Sequence, residues 1–249
     1  MKRIYYLAGL PRTGNTLLSS ILNQNPKIHM TPNSMLCQMA WNIYQIKETT
    51  IFKNFPDHKT IDNVIKKIFE HYHDSTNAEI IFDRGPWGRP LNLEMIKKYV
   101  NPNPKFLILD RPMIEIIASF LRVKKDGNAN EIVRTLMNKE NGKLYQDIIS
   151  ARNIFKSKEK YQKIEYDDLV NNTKDAVDEI YSYFEIPKYE HDFSKLSQLT
   201  FNNIGYDDSV LNFDLHTIRT NIIKKEEINL KDFFNEEEIE RLKKYNIYA

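Results

Sequence analysis

Residues 3–22 set a strand, a glycine-bounded turn and a helix in immediate succession, and that order constrains the rest of the chain. Arg3 to Ala8 is a compact β-prone run through Ile4, Tyr5, Tyr6 and Leu7, ending at Gly9. Leu17, Leu18, Ile21 and Leu22 then recur at helical spacing until Asn23-Gln24-Asn25-Pro26 stops them. A strand that is apolar on both sides and feeds directly into a helix is the opening of an α/β fold.

The rhythm repeats downstream. Glu79 to Asp83 reads as a buried strand followed by a Gly/Pro/Trp turn, and Leu91 to Val100 as a helix. Lys105 to Asp110, with Phe106-Leu107-Ile108-Leu109, is the clearest buried strand; Pro112 then opens a helix through Ile116, Ile117, Phe120 and Leu121. Tyr161 to Tyr166 is a more polar strand, expected nearer a sheet edge. Helical segments are expected over Met35 to Gln45, Ile61 to His71, Glu131 to Phe155 and Thr173 to Phe184. Asn235 to Tyr245 adds a helix with an Asn cap, acidic residues in its first turn and basic ones at its end. The expected fold is α/β, a mostly parallel central sheet with helices on both faces, in one domain over residues 1–249.

The first turn has the chemistry of an anion site. Gly9-Leu10-Pro11-Arg12-Thr13-Gly14-Asn15-Thr16 carries the spacing G-x-x-x-x-G-K-[ST] of a phosphate loop, with Asn15 in the place of the lysine. Backbone N–H groups of such a turn converge on an anion, and the helix that follows adds roughly half a positive charge. With no lysine, Arg12 is the cation at hand. The same residues also suit a plain strand–helix connection with a solvated Arg12. A nucleotide-dependent kinase with a degenerate loop is a further reading, because Phe106 to Asp110 resembles the apolar strand plus Asp that holds magnesium.

Composition narrows the partners. Lys and Arg number 36 against 34 Asp and Glu, a formal charge of +2, so there is no broad basic footprint for a nucleic acid and anion recognition has to be local. The single cysteine, Cys37, excludes an internal disulfide framework and a cysteine zinc site. His71 and His73 are two apart and do not share a helix face, so no metal site is expected. The apolar run after Met1-Lys2-Arg3 breaks at Pro11 without a cleavage site, and no stretch reaches membrane-spanning length. A soluble, cytoplasmic protein is the expectation, and the Asn171-Asn172-Thr173 sequon then has no role.

A second constellation follows the clearest strand. Arg111 stands just past Asp110, at the sheet edge where open α/β folds bind ligands, and Ser119 lies eight residues further along a helix. Spacing alone leaves open whether both reach one ligand or satisfy the local structure.

Together these residues carry a resemblance. Pro11-Arg12-Thr13-Gly14-Asn15-Thr16-Leu17 resembles the P-[KR]-[ST]-G-[ST]-T loop of the sulfotransferases that use 3′-phosphoadenosine 5′-phosphosulfate (PAPS). Arg111 and Ser119 resemble that family's 3′-phosphate motif, and Tyr166-Asp167-Asp168-Leu169 with Phe184-Glu185-Ile186-Pro187 its Y-[ED]-D-L…F-x-[IL]-P segment. The phrase from Leu10 to Ser34 looks closer to the bacterial and tyrosylprotein-type branch than to the cytosolic one. The resemblance implies a P-loop-like fold and transfer of the PAPS sulfuryl group to a hydroxyl or amine, releasing 3′-phosphoadenosine 5′-phosphate (PAP), with no metal. By position, Arg12 would stabilise the leaving phosphate oxygen, and Thr13, Gly14, Asn15 and Thr16 would hold the 5′-phosphate. Arg111 and Ser119 would hold the 3′-phosphate, with Tyr166 near the adenine. Leu17 stands where the cytosolic branch has a stacking Trp, and Arg219 is the candidate for that branch's basic C-terminal contact.

Phe82-Asp83-Arg84-Gly85-Pro86-Trp87 resembles the family's N-K-D-P-F type of segment. Arg84 is thereby a second charge stabiliser and Asp83 a candidate base, or a partner of Arg84 or Arg12, with His29 and Glu48 behind it. Trp87 either packs or lines an acceptor pocket. The acceptor is expected to be a small molecule, a carbohydrate or a peptide. Lys124 to Lys143, polar and with Gly127 and Gly142, is a candidate acceptor-side cover. A protein that binds PAP without turnover is the remaining alternative.

Overall fold

The structure is a computed structural model, and it describes residues 2–123, 129–201, 203–211, 214–218, 223–224 and 227–243. In chain order the elements are β1 (Arg3–Leu7), α1 (Asn15–Leu22), β2 (Ile28–Thr31), α2 (Leu36–Gln45), α3 (Thr50–Asn54) and α4 (Lys59–His71). Next come β3 (Ile80–Arg84), α5 (Pro90–Tyr99), β4 (Lys105–Asp110), α6 (Met113–Val123), α7 (Ala129–Leu136) and α8 (Lys143–Lys156). The last are β5 (Lys160–Glu165), α9 (Tyr166–Asn171), α10 (Thr173–Tyr183), β6 (Thr200–Phe201), β7 (Ile204–Gly205) and α11 (Glu236–Lys243).

Five parallel strands form one sheet in the order β2-β3-β1-β4-β5. Because successive strand residues face opposite ways, Leu7, Phe82, Leu107 and Leu109 meet Leu18 and Ile21 of α1 and Val177 and Ile180 of α10 on one side. On the other side Tyr6, Phe106 and Ile108 meet Ala40 of α2, Phe69 of α4, Ile96 of α5 and the buried Cys37. Both faces are covered, as the uninterrupted apolar strands require. A third core joins Leu10 to α6, α7 and α8 and takes in Leu215, Phe234 and Leu242.

Two elements depart from the sequence expectation. The segment expected as one helix over 131–155 is two: α7 ends at Leu136, α8 begins at Lys143, and a turn lies between. Asn138 caps that turn through Glu140 N–H, 2.9 Å away. A Cβ on Gly142 would stand 2.5 Å from the Asn138 backbone, so the reversal needs a glycine. β2 was not anticipated; it pairs with β3 from Ile28↔Ile80 to Thr31↔Asp83. Phe201 of the β6–β7 hairpin packs its ring edge-on against His29 of β2, 5.3 Å away, and so shields the sheet edge. β5 is the opposite edge, in line with its polar sequence. α11 has the expected Asn cap as a reciprocal box: Glu238 N–H donates to Asn235 Oδ1 (2.9 Å) and Asn235 N–H to Glu238 Oε2 (3.0 Å).

Strand ends fix the location of the site. β1, β3, β4 and β5 finish on one edge, delivering the Gly9–Gly14 turn, Arg84, Arg111 and Tyr166 respectively.

Candidate active site

The turn after β1 is built by its own side chains. Thr13 Oγ1 and Asn15 Nδ2 both donate to the Leu10 carbonyl, at 2.8 and 2.9 Å, and both side chains are buried. They brace the loop from inside, so any contact of Thr13 with an anion falls to its backbone rather than to this hydroxyl. Arg12 and Gly14 have φ of 63° and 94°. A left-handed arginine is unfavourable by about 1–2 kcal/mol and marks a backbone held for a purpose. The first helical amide of α1 to find an acceptor is that of Leu18, which donates to Gly14 O at 2.9 Å. The N–H groups of Asn15, Thr16 and Leu17 therefore lack helical partners, and no acidic residue sits in that first turn. An anion is what such an end recruits.

Two arginines meet at the loop, Arg12 from within it and Arg111 from just before α6. Arg12 Nε donates to Ser119 Oγ at 3.1 Å, and Arg12 Nη1 to the Leu215 carbonyl at 3.0 Å. Arg111 Nη1 donates to the Arg12 carbonyl at 3.1 Å, and its Nε to Glu115 Oε2 at 3.0 Å. Its guanidinium lies 4.1 Å above the Tyr166 ring. Arg111 is 4% exposed, yet its Nη2 has no hydrogen-bond partner. A buried guanidinium with one orphaned donor is costly unless a ligand completes it. Tyr166 also closes on the loop, since a Cβ on Gly14 would stand 3.1 Å from its Cδ2 and 2.9 Å from Leu169 Cδ2. Gly14→Ala is thus expected to lose about 1–3 kcal/mol of stability, read as a lower urea midpoint with an unchanged slope.

A match to the model of the sulfotransferase family covers residues 6–191, which include this loop, both arginines, Ser119 and Tyr166. The chain belongs to the sulfotransferase family. Among solved structures it is similar to the sulfotransferase domain of the Synechococcus PCC 7002 olefin synthase, at 17% identity and a TM-score of 0.57 over 85% of this chain and 82% of that one. It is also similar to the sulfotransferase domain from the curacin biosynthetic pathway, at 17% identity and a TM-score of 0.50 over 76% of this chain and 75% of that one. These likenesses concern the P-loop-like fold. No curated protein matches the sequence.

The remaining residues singled out in the sequence of this sulfotransferase lie as follows. Arg84, 2% exposed, is tied down: its Nη2 donates to Asp147 Oδ2 at 2.9 Å and to the Gly9 carbonyl at 3.1 Å. It supports the loop from beneath. Asp83 does not meet Arg84 or Arg12. It is fully buried, with His73 Nε2 3.0 Å from Oδ2 and Trp87 Nε1 donating to Oδ1 at 3.0 Å. Strand alternation turns Asp83 away from its neighbour, and an enclosed carboxylate offers no lone pair to a substrate. Trp87 is fully buried against Tyr6 and Phe69, so it packs and lines no pocket. His29 stays neutral, its pKa lowered to about 4 by burial and then by neighbouring His73. Glu48 is exposed and pairs with Lys53 at 3.0 Å. Arg219 lies outside the described residues, as do positions 124–128 of the expected cover.

The partners that hold these side chains had uneven signals in the sequence. Glu115 was detectable, four residues after Arg111 and hence on the same side of the chain. Asp147, sixty-three residues from Arg84, had no local signal. Asp110 accepts from Arg111 N–H at 2.9 Å and faces Lys163 Nζ at 3.5 Å. Among the described residues no helix is long and apolar enough to cross a membrane, and no group of three or more His, Cys, Asp or Glu is placed to hold a metal.

Proposed function

We propose that this sulfotransferase takes PAPS as donor, passes its sulfuryl group to a hydroxyl or amine, and releases PAP. The observation that carries the reading is the orphaned, buried Nη2 of Arg111, whose Nη1 holds the Arg12 carbonyl while Arg12 holds Ser119, next to a loop with unpaired helix-start N–H groups. That donor set suits a ligand with two separated anionic groups. In this reading Arg111 and Ser119 hold the 3′-phosphate. The N–H groups of Thr13, Gly14, Asn15 and Thr16 hold the 5′-phosphate, with the Thr16 hydroxyl facing the same end. PAPS supplies an activated sulfuryl group whose transfer leaves negative charge on the departing phosphate oxygen. Arg12 and the loop N–H groups are there to stabilise that charge, which is what the step demands.

Tyr166 supports the reading differently from the sequence expectation. One face of its ring is covered by Arg111, which leaves its other face or edge for the nucleotide. Arg84 is a positioning residue that holds Gly9 and the start of the loop, and Asp83 belongs to the interior with His73 and Trp87. The acceptor is a small molecule, a carbohydrate or a peptide.

Thermal unfolding with PAP, with ATP and magnesium, and with no ligand tests the donor. PAP is expected to raise the midpoint and ATP–magnesium to leave it near the unliganded value. The reverse order would favour a kinase. PAP binding with PAPS left intact would favour a protein that binds without turnover.

A further inference from the structure

A second Asp–His pair stands beside the loop, in a segment outside the three motifs. Asp208 Oδ1 is 2.6 Å from His216 Nδ1, while its Oδ2 accepts from the backbone N–H groups of Leu215 (2.8 Å) and His216 (2.7 Å). Burial works against this carboxylate's charge, but the hydrogen bonds from His216 outweigh it and hold the group below its ordinary pKa. An ionised carboxylate only accepts, so Nδ1 carries a proton, and whenever the ring is neutral its lone pair is on Nε2. Nε2 has no hydrogen-bond partner among the described residues.

The ring is also held on one face. Tyr206 stacks on it at 4.1 Å and 16°, and the Tyr206 hydroxyl donates to the Asn33 carbonyl, just past the end of β2. Gln198 Nε2 donates to the His216 carbonyl at 2.9 Å. The adjoining residue, Leu215, presents its carbonyl to Arg12 Nη1 at 3.0 Å and to Thr16 Oγ1 at 3.5 Å. The pair therefore spans from the anion loop to the end of β2, along the edge where the strands finish.

The other buried pair of the same kind, His73 with Asp83, has no such setting. It lies with Trp87, at 5% and 0% side-chain exposure, and the His73 carbonyl accepts from Lys2 before β1. An Asp-oriented histidine with a free Nε2 next to the residue that binds Arg12 is a different object.

We infer that His216 is the catalytic base of this sulfotransferase, oriented by Asp208 and stacked on Tyr206. The inference rests on the PAPS reading above. Nε2 takes the acceptor's hydroxyl proton as the acceptor oxygen bonds to sulfur. The bond between sulfur and the 5′-phosphate oxygen breaks, its electron pair stays on that oxygen, and Arg12 and the loop N–H groups meet the new charge. His216 then passes the proton to solvent. This is the role of an Asp–His pair wherever a hydroxyl must be activated.

The test compares acceptors that carry a proton with one that does not. With water or a simple primary alcohol as acceptor, His216→Asn should slow sulfuryl transfer from PAPS by about 10²- to 10⁴-fold. With 4-nitrophenolate, already deprotonated, the same variant should stay within about threefold of wild type, because no proton is left to remove. PAP affinity by calorimetry should be unchanged in His216→Asn and His216→Gln, which also reports that both fold. Independently of turnover, ¹⁵N NMR of the ring should show Nδ1 protonated and Nε2 bare, and Asp208→Asn should disturb that tautomer. Equal losses with all acceptors, a fall in PAP affinity, or a protonated Nε2 in the neutral ring would each overturn the assignment. Full transfer to water in His216→Asn sinks the base alone, whereas a wild type that binds no PAP or leaves PAPS intact sinks the donor reading with it.

Discussion

Replacing Arg12 with alanine is expected to lower sulfuryl transfer by about 10²- to 10³-fold, the usual effect of removing one donor from the place where charge develops. The expectation comes from how the residue is held. Its backbone adopts φ 63°, and its guanidinium is fixed at 3.1 Å from Ser119 and 3.0 Å from the Leu215 carbonyl. A cation already constrained at the loop reorganises little when the phosphate oxygen becomes charged, which is where preorganised donors act most strongly. The effect should fall on kcat more than on PAP affinity, because the interaction strengthens as charge builds in the transition state. Single-turnover PAPS consumption at saturating donor, alongside PAP calorimetry, separates the two. An unchanged rate removes Arg12 from the mechanism. A loss confined to binding makes it a donor-holding residue only. Because the variant also removes the side chain that anchors Leu215, a loss of order around His216 is part of what the measurement reads. Arg12→Lys keeps a charge near the phosphate but not the fork that spans Ser119 and Leu215, and is expected to recover activity only in part.

How far the sequence alone reached depended on the range of the forces involved. β1, β3 and β4 were legible because each is apolar on both sides and ends in a residue that turns the chain. The helix after Pro112 was legible because its start signal is local. β2 was not, because Ile28-His29-Met30-Thr31 has no periodic signature and becomes a strand only by pairing with β3. The segment over 131–155 was misread as one helix because Ile132, Leu136, Leu144 and Ile148 all feed one core. Only the crowding at Gly142 betrays the reversal.

The same division runs through the site. Arg12 and Arg111 could be picked out because strand ends and glycine spacing are written in consecutive residues. Arg84 was picked out for its charge, but its Asp147 partner comes from α8, and that contact makes it a support for the loop. Asp83 looked available only because sequence cannot show that His73 and Trp87 enclose it. Asp208 and His216 are eight residues apart in an aperiodic stretch, and nothing short of the folded chain brings them to the loop.

Replacing Arg111 with alanine is expected to separate two adenosine anions, only one of which has a phosphate at the 3′ position. PAP carries the 3′-phosphate and adenosine 5′-phosphosulfate lacks it, so a residue that reads that group should matter for the first ligand alone. Arg111 is 4% exposed and its Nη2 is unpartnered. A buried charge pair broken by truncation costs about 2–5 kcal/mol, so PAP affinity should fall by about 30- to several-thousand-fold. Adenosine 5′-phosphosulfate should lose less than about tenfold, a residue of the contacts Arg111 makes with the Arg12 carbonyl and the Tyr166 ring. Arg111→Lys keeps the charge but cannot reach Glu115, the Arg12 carbonyl and a phosphate oxygen together, and should fall between wild type and Arg111→Ala. Ser119→Ala offers a check that leaves Arg111 in place: it should weaken PAP by less than Arg111→Ala and spare the 5′-phosphosulfate ligand in the same way. Equal losses of both ligands in Arg111→Ala would make its role the bracing of Arg12 and Tyr166. The orphaned Nη2 would then need another partner.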